Sequence, residues 1–512
     1  MLRTKLKLNN VFASVGTLIL LFVYPLFMTN KYFNITLSKF VFFTLVSALF
    51  AMLSFLAESD NKKTPKKKAK LSFKEKLKNM DVTDASYLFI LIFGAITVYV
   101  SGYGKVAFFG SGGRYMGYAF FLAAGLAYLF ISRHNILKEY ELIAFEASMA
   151  LACLLAVFQA CGVDLFNLIA PVAEHQKKIF ISTFGNIDIF SAFLSISIPI
   201  SMYMICFRER KTKLYLVYFL TAALGFAALF LSNSDSGYLG VFAAFWVICL
   251  LSFKSKTYLK QFSDLCLFFF VLAYIYGLLK KTGVVERDLS FMSKLITSTN
   301  LVYIGIVLFF VISVFLRLIN LNDKTLKVLK VVYITVSIVL LISLIVAIFY
   351  FTNINPKFDL GSFSRYLRFN DKWGTNRGFV WRIYLELYKG LPLSKKLFGC
   401  GQDCLSLALT TDLYREMVSF GNYTNNAHNE YIQYLVSIGI FGAVSYLAFV
   451  ISALVKLFRD KETSLLSYSV AVSIIAYLVQ ATVNITQPIV TPLLFLFVAF
   501  ACCKKVSRES DK

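Results

Sequence analysis

An all-α, polytopic membrane helix bundle of about 14 transmembrane helices, carrying one large external loop domain, follows from three observations. Hydrophobic residues fill 58% of 512 positions and charged residues only 16%, whereas a soluble domain runs at about 45–50% and about 25%. The apolar residues come in blocks of about 18 or more, the length that a hydrocarbon core of about 30 Å requires. One polar stretch, 352–430, interrupts the series at about 80 residues, well beyond an ordinary connection.

The first block runs from Val11 to Met28. It is longer than a secretory h-region, lacks a small-residue cleavage pattern and is followed directly by another span, so it is expected to be the first transmembrane helix. The remaining spans fall at about 35–57, 83–101, 115–132, 141–162, 186–206, 214–232, 237–253, 261–278, 300–317, 331–351, 431–456, 466–482 and 488–503. Three stretches result: helices 1–11 with short loops over 1–351, the external loop over 352–430, and helices 12–14 with a tail over 431–512.

Charge sets the expected orientation. The net charge of +24 suggests no nucleic-acid partner, because the basic residues sit in short gaps between spans, where orientation in a lipid bilayer explains them. With the N-terminus inside, the basic gaps Lys62–Lys78, Arg208–Lys213, Lys254–Lys260, Arg317–Lys330 and Lys456–Lys461 all face the cytoplasm. Clusters at Arg3–Lys7 and Lys504–Arg508 put both termini there too, which requires an even number of spans. The expected location is therefore the inner (cytoplasmic) membrane, multi-pass, with the large loop outside.

Most of the nine cysteines lie inside apolar blocks, as small hydrophobes do. Only Cys400 and Cys404 fall in a polar segment, where an external position permits either a disulfide or two free thiols.

The chemistry concentrates in the loop. Arg365, Arg368, Arg377, Arg382 and Arg415 lie on the side where orientation gives no reason for cations. A guanidinium fork suits phosphate oxygens and stays charged; pairing with Asp359, Asp371, Asp403 and Glu416 is the plainer alternative. Of three histidines, only His428 stands where a polar loop enters a membrane helix, flanked by the amides Asn425, Asn426 and Asn429. A histidine there suits proton transfer near neutral pH. No second His or Cys stands at metal-ligand spacing. Trp373, Trp381, Tyr384, Tyr388 and Tyr423 suit a loop core more than sugar stacking, and Gly439 and Gly442 suit close helix packing.

The run Asn376-Arg377-Gly378-Phe379-Val380-Trp381-Arg382, then Leu391-Pro392 and Leu397-Phe398-Gly399-Cys400-Gly401, resembles a signature of the O-antigen ligase/O-antigen polymerase family. So does Ala427-His428-Asn429-Glu430-Tyr431 through Gly439-Ile440-Phe441-Gly442, in the family's order at the end of the same loop. Ser182-Thr183-Phe184-Gly185-Asn186 is similar to the family's turn into the sixth span, with Ile187-Asp188 in place of Pro-Asn. Leu231-Ser232-Asn233-Ser234-Asp235-Ser236-Gly237 occupies the place of its Ser-Arg-Gly turn but lacks the Arg, for which Arg114 is the expected replacement.

The resemblance implies a GT-C-like integral-membrane glycosyltransferase that works without a cofactor or metal. It implies an undecaprenyl-pyrophosphate-linked glycan donor and a glycan or lipid-anchor acceptor. Carried onto this chain, it makes His428 the expected general base, with Arg377 and Arg382 on the pyrophosphate. Arg114, Asn186, Arg365, Arg368 and Asn429 are the expected substrate-binding residues. Polymerase and ligase share these motifs and stay open. A lipid-linked oligosaccharide flippase, or another transporter, is the alternative from a different class; the one-sided external loop, the lack of internal repeats and the scarcity of mid-membrane acids, of which Glu146 is the main one, speak against it.

Overall fold

The computed structural model describes residues 7–61, 80–111, 113–421, 423–460 and 464–503. The basic clusters Lys62–Lys78 and Lys504–Arg508, Lys461, and all of the N-terminal cluster except Lys7 lie outside the described residues. The protein is an all-α helix bundle whose only strands are the two-residue pair Phe180–Ile181 and Gly185–Asn186 among the described residues.

Among the described residues, eleven helices are long and apolar enough to cross a membrane. Together with three shorter ones they account for every predicted span. In chain order they are α1 (Leu8–Leu26), α2 (Ile35–Glu58), α3 (Val82–Ser101), α4 (Tyr118–His134), α5 (Glu139–Ala160), α6 (Ile187–Phe207), α7 (Lys213–Leu231), α8 (Ser236–Ser252), α9 (Lys256–Lys281), α10 (Asn300–Leu318), α11 (Asp323–Ile354), α12 (Glu430–Arg459), α13 (Leu465–Val483) and α14 (Thr491–Phe500).

The shorter ones are α4, α8 and α14. At 10 residues and about 1.5 Å per residue, α14 covers only half of the hydrocarbon core. The last predicted span, 488–503, is thus helical only in part. Residues 484–490 run irregularly beside the bundle core instead, because Pro488 and Pro492 donate no backbone hydrogen bond. Irregular backbone at this depth must find partners inside the protein. Tyr24 donates to the Pro488 carbonyl at 2.5 Å, the Gln487 N–H bonds the Thr491 hydroxyl at 3.1 Å, and the Asn484 amide donates to the Asp188 carbonyl at 2.7 Å.

The most hydrophobic window of α6 is wholly buried, so α6 forms the axis of the bundle. Its serines return their hydroxyls to the preceding turn, Ser195 to the Ser191 carbonyl and Ser197 to that of Phe193, each at 2.8 Å. Small residues let its neighbours close in: a Cβ on Gly240 of α8 would stand 2.6 Å from the Ser195 hydroxyl and 2.7 Å from the Ala476 carbonyl of α13. At the other extreme, the most hydrophobic window of α11 has no buried residue. Two side-chain bonds tie α11 to α8, Trp246 to Ser337 at 3.0 Å and Tyr333 to the Trp246 carbonyl at 3.2 Å.

The segment between α11 and α12 has a core of its own. Its longest helix, Trp373–Gly390, contains the predicted helical run Val380–Tyr388, and buries Phe379, Ile383, Tyr384 and Leu387 against Leu405 and Met417. Cys400 and Cys404 are buried free thiols. The segment docks on a break in α12, where Gly439 adopts φ 69°, ψ −179°. The break frees two carbonyls, and the loop satisfies both: the Cys400 N–H bonds Val436 at 2.9 Å and the Gly401 N–H bonds Ser437 at 3.1 Å. Backbones meet so closely that a Cβ on Gly399 would stand 2.2 Å from the Ser437 carbonyl.

Candidate functional site

Arg377 enters the site from a distorted helix start. Gly374, Thr375 and Asn376 have φ of 56°, 60° and 70°. Left-handed backbone is costly for a β-branched residue such as Thr375 and is held only where the surroundings impose it. These residues fold back under the guanidinium: Arg377 Nη1 donates to the Gly374 carbonyl at 2.8 Å and to the Thr375 hydroxyl at 2.9 Å. Nη2 lies 3.5 Å from the Asp188 carboxylate, and Nε is buried without a hydrogen-bond partner among the described residues.

Asp188 comes from the first turn of α6. Asn186 caps that helix, its side chain accepting the Asp188 N–H at 2.7 Å. The other Asp188 oxygen accepts from Ser234 at 2.6 Å. Ser234 sits in the turn between α7 and α8, where it also meets the hydroxyls of Ser191 and Ser236 at 3.2 and 3.0 Å.

Arg377 and Asp188 border a cavity of about 500 Å³ between the start of α6, the Asn233–Ser236 turn, the helix Phe291–Ser298 and the loop. Lys294 and Arg365 complete its cations, and Asp235 adds a second carboxylate. Asp235 is fixed by the Met292 N–H at 3.0 Å and by the Tyr366 hydroxyl. Arg365 lies over the Phe291 ring, 5.9 Å from its centre. With three cations against two carboxylates, the cavity suits an anion. A second hollow of about 250 Å³ shares Asp235, Ser236 and Arg377 but is walled by Tyr238, Leu239, Phe242, Met292 and Val483. Arg377 therefore stands where a polar chamber meets an apolar groove.

His428 approaches the same guanidinium from the start of α12. Its backbone is left-handed, φ 48°, and its N–H bonds the Asn426 side chain at 2.8 Å. Asn429 caps α12, accepting from the Tyr431 and Ile432 N–H groups at 3.0 Å each. The half-buried imidazole has its pKa pushed down to about 4. Burial is the main cause; the positive charges of Arg377 and Arg114 add to it, and Asp188 opposes it. At neutral pH the ring is uncharged, with a lone pair free to accept a proton.

The other predicted residues are spread more widely. Arg114 lies on the His428 side, its Nε donating to Asn425 at 2.6 Å and its Nη1 buried without a partner among the described residues. Burial lowers its pKa, and Asp403 and Tyr384 counter the shift. The cations that line the cavity at the Asn233–Ser236 turn are Lys294, Arg365 and Arg377, not Arg114. Arg382 is instead matched by Glu416 at 2.7 Å, Asp371 at 3.0 Å and Glu386 at 3.4 Å; Asp371 and then Glu416 hold its pKa above the usual value. Arg368 braces the loop through the carbonyls of Phe351 at 3.3 Å and Phe358 at 2.7 Å.

Sequence reasoning did not single out Asp188, Asp235, Lys294 or Tyr366 as site residues. Asp188 and Asp235 stand where the chain departs from the resembled motifs, which was a signal; Lys294 and Tyr366 carry none.

Residues 289–447 match the family model described as O-antigen ligase. The matched stretch contains Lys294, Arg365, Arg377 and His428, whereas Asp188 and the Asn233–Ser236 turn lie before it. No curated protein matches the chain.

Proposed function

We propose that this multi-pass membrane protein, whose residues 289–447 form an O-antigen ligase domain, transfers a glycan from undecaprenyl pyrophosphate to an acceptor hydroxyl at the outer membrane face. The observation that carries this reading is the placement of Arg377 between a cation-lined chamber and an apolar groove. A pyrophosphate joined to a polyprenyl chain has that division of character.

In this reading Arg377, Lys294 and Arg365 hold the pyrophosphate, and the first isoprene units lie against Tyr238, Leu239 and Phe242. The acceptor oxygen attacks the anomeric carbon while the bond from that carbon to the pyrophosphate oxygen breaks. The configuration inverts, and the leaving group departs with the electron pair. Fixed guanidinium and ammonium groups stabilise its growing charge, in a chamber where they need not reorganise. His428 takes the hydroxyl proton. Arg382 and Arg368 hold the loop in shape, and Asn186 and Asn429 set the helix starts that carry Asp188 and His428.

Arg377→Ala is expected to lower transfer by about 10²–10³-fold, the usual loss for one charge-stabilising donor. The readout is the length distribution of lipid-linked and surface glycans with the gene intact, deleted or carrying the variant. Collapse to single lipid-linked repeats identifies a polymerase. Long chains retained on undecaprenyl pyrophosphate identify a ligase. Unchanged pools would overturn the enzyme reading and leave the flippase.

The pH profile is a second test. Because the imidazole titrates at about 4 and reacts as the neutral form, activity should persist below pH 6.5, the ordinary histidine value. Arg114→Gln removes one of the charges that depress this pKa and should move the acid limb upward. A wild-type limb near 6.5, unmoved in the variant, would exclude His428 as the base.

A further inference from the structure

Besides Arg377, His428 has a second polar neighbourhood, built from three segments. Arg114 comes from the turn before α4, Asp403 from the large loop and Asn426 from the approach to α12. Arg114 Nε donates to Asn425 at 2.6 Å, and the Asn426 side chain accepts the His428 N–H at 2.8 Å. One Asp403 oxygen faces the turn, accepting from the Ser111 N–H at 2.7 Å, the Ser111 hydroxyl at 3.0 Å and the Met116 N–H at 3.4 Å. Three donors on one oxygen favour the charged carboxylate.

Each of the three also holds an atom with nothing to bond. Arg114 Nη1, Asp403 Oδ1 and Asn426 Nδ2 are buried without hydrogen-bond partners among the described residues. Asp403 is 3% exposed and Asn426 1%. Buried polar groups are nearly always bonded, so three orphans in one neighbourhood mark the place of a guest. Arg114 and Asp403 are near enough to feel each other's charge, yet their free atoms do not meet. Asn425 fixes the one and the backbone of the turn fixes the other, which leaves a gap between them.

The pattern of donors decides what fits the gap. Nη1 and Nδ2 offer protons, and Oδ1 takes one. A hydroxyl can accept from the first two and donate to the third. A phosphate would bring its charge against the Asp403 carboxylate, and an ammonium against the Arg114 guanidinium, each at a desolvation cost.

We propose that Arg114, Asp403 and Asn426 form the acceptor subsite, which takes a neutral sugar by a hydroxyl neighbouring the one that His428 deprotonates. The assignment rests on the transfer reading and gives the acceptor its chemical class: an uncharged sugar at the reacting end, not a phosphate-bearing one. The two arginines beside His428 then divide the work, Arg377 serving the donor and Arg114 the acceptor.

The test is saturation-transfer NMR on the full-length protein in lipid nanodiscs, with no donor added. The probes are the methyl glycosides of glucose, galactose and mannose, and glucose 6-phosphate. At least one neutral glycoside should bind. Asp403→Asn, which turns an amide NH₂ toward the gap, should weaken it about tenfold or more, the scale of one hydrogen bond to a charged group. Should that variant fail to fold, Arg114→Gln reads the same loss. Glucose 6-phosphate binding should follow Arg377→Ala and not Asp403→Asn. Binding is read without turnover, so a protein that transfers nothing can still hold the sugar here, and the two readings fail separately. Three results would each overturn the proposal: no glycoside bound, which leaves the gap to water only; undiminished binding in both variants; or glucose 6-phosphate released by Asp403→Asn and retained by Arg377→Ala.

Discussion

His428→Ala should leave the protein folded in the membrane and cut glycan transfer by about 10²–10⁴-fold, the usual contribution of a positioned general base. The local fold does not depend on the ring: Asn426 is engaged by the backbone N–H of residue 428, and α12 is capped by Asn429. The cations that hold the donor also remain. The loss should therefore fall on kcat, with KM for the lipid-linked donor little changed. Purified protein in vesicles, supplied with donor and acceptor, separates the two parameters, and a thermal melt checks the fold. A variant with wild-type kcat would remove His428 from the reaction.

Gly439→Ala should fail at an earlier stage, by preventing the loop from docking. At φ 69°, ψ −179° the backbone occupies a region open essentially to glycine alone, at a cost of about 1–3 kcal/mol for another residue. The added Cβ would also stand 2.3 Å from the Leu397 carbonyl, a backbone atom that cannot swing aside. Clash and strain together reach about 4 kcal/mol, a large fraction of a typical stability. The variant should not accumulate in membranes, whereas Gly390→Ala, whose Cβ meets nothing within 4 Å, should behave as wild type. Normal accumulation and an unshifted melt for Gly439→Ala would refute this account of the docking.

The fold was largely legible because lipid imposes a simple rule on sequence: apolar blocks of sufficient length become helices. The rule weakened at the C-terminal end, where composition alone could not show that Pro488 and Pro492 confine α14 to ten residues. Within the site, Arg377 and His428 were legible as unusual residues in unusual places, and they converge on one another. Arg382, five positions further along the chain, was read from sequence as a second pyrophosphate ligand, with Arg377 the better match to the resembled motif. The difference between them depends on Asp371 and Glu416, which only the folded loop brings alongside. Lys294 was silent for the same reason: nothing near it in sequence marks it, and its neighbours in the chamber come from distant segments.

The bare helix α11 has a consequence for how this protein varies over generations. No part of its most apolar stretch is buried, so the partner that tests each side chain is lipid, which cannot distinguish valine from leucine or isoleucine at a given position. Drift among those residues should pass unselected along α11, while α6, enclosed on all sides, should hold its serines and small residues fixed. Two apolar stretches of the same chain would then record very different amounts of history.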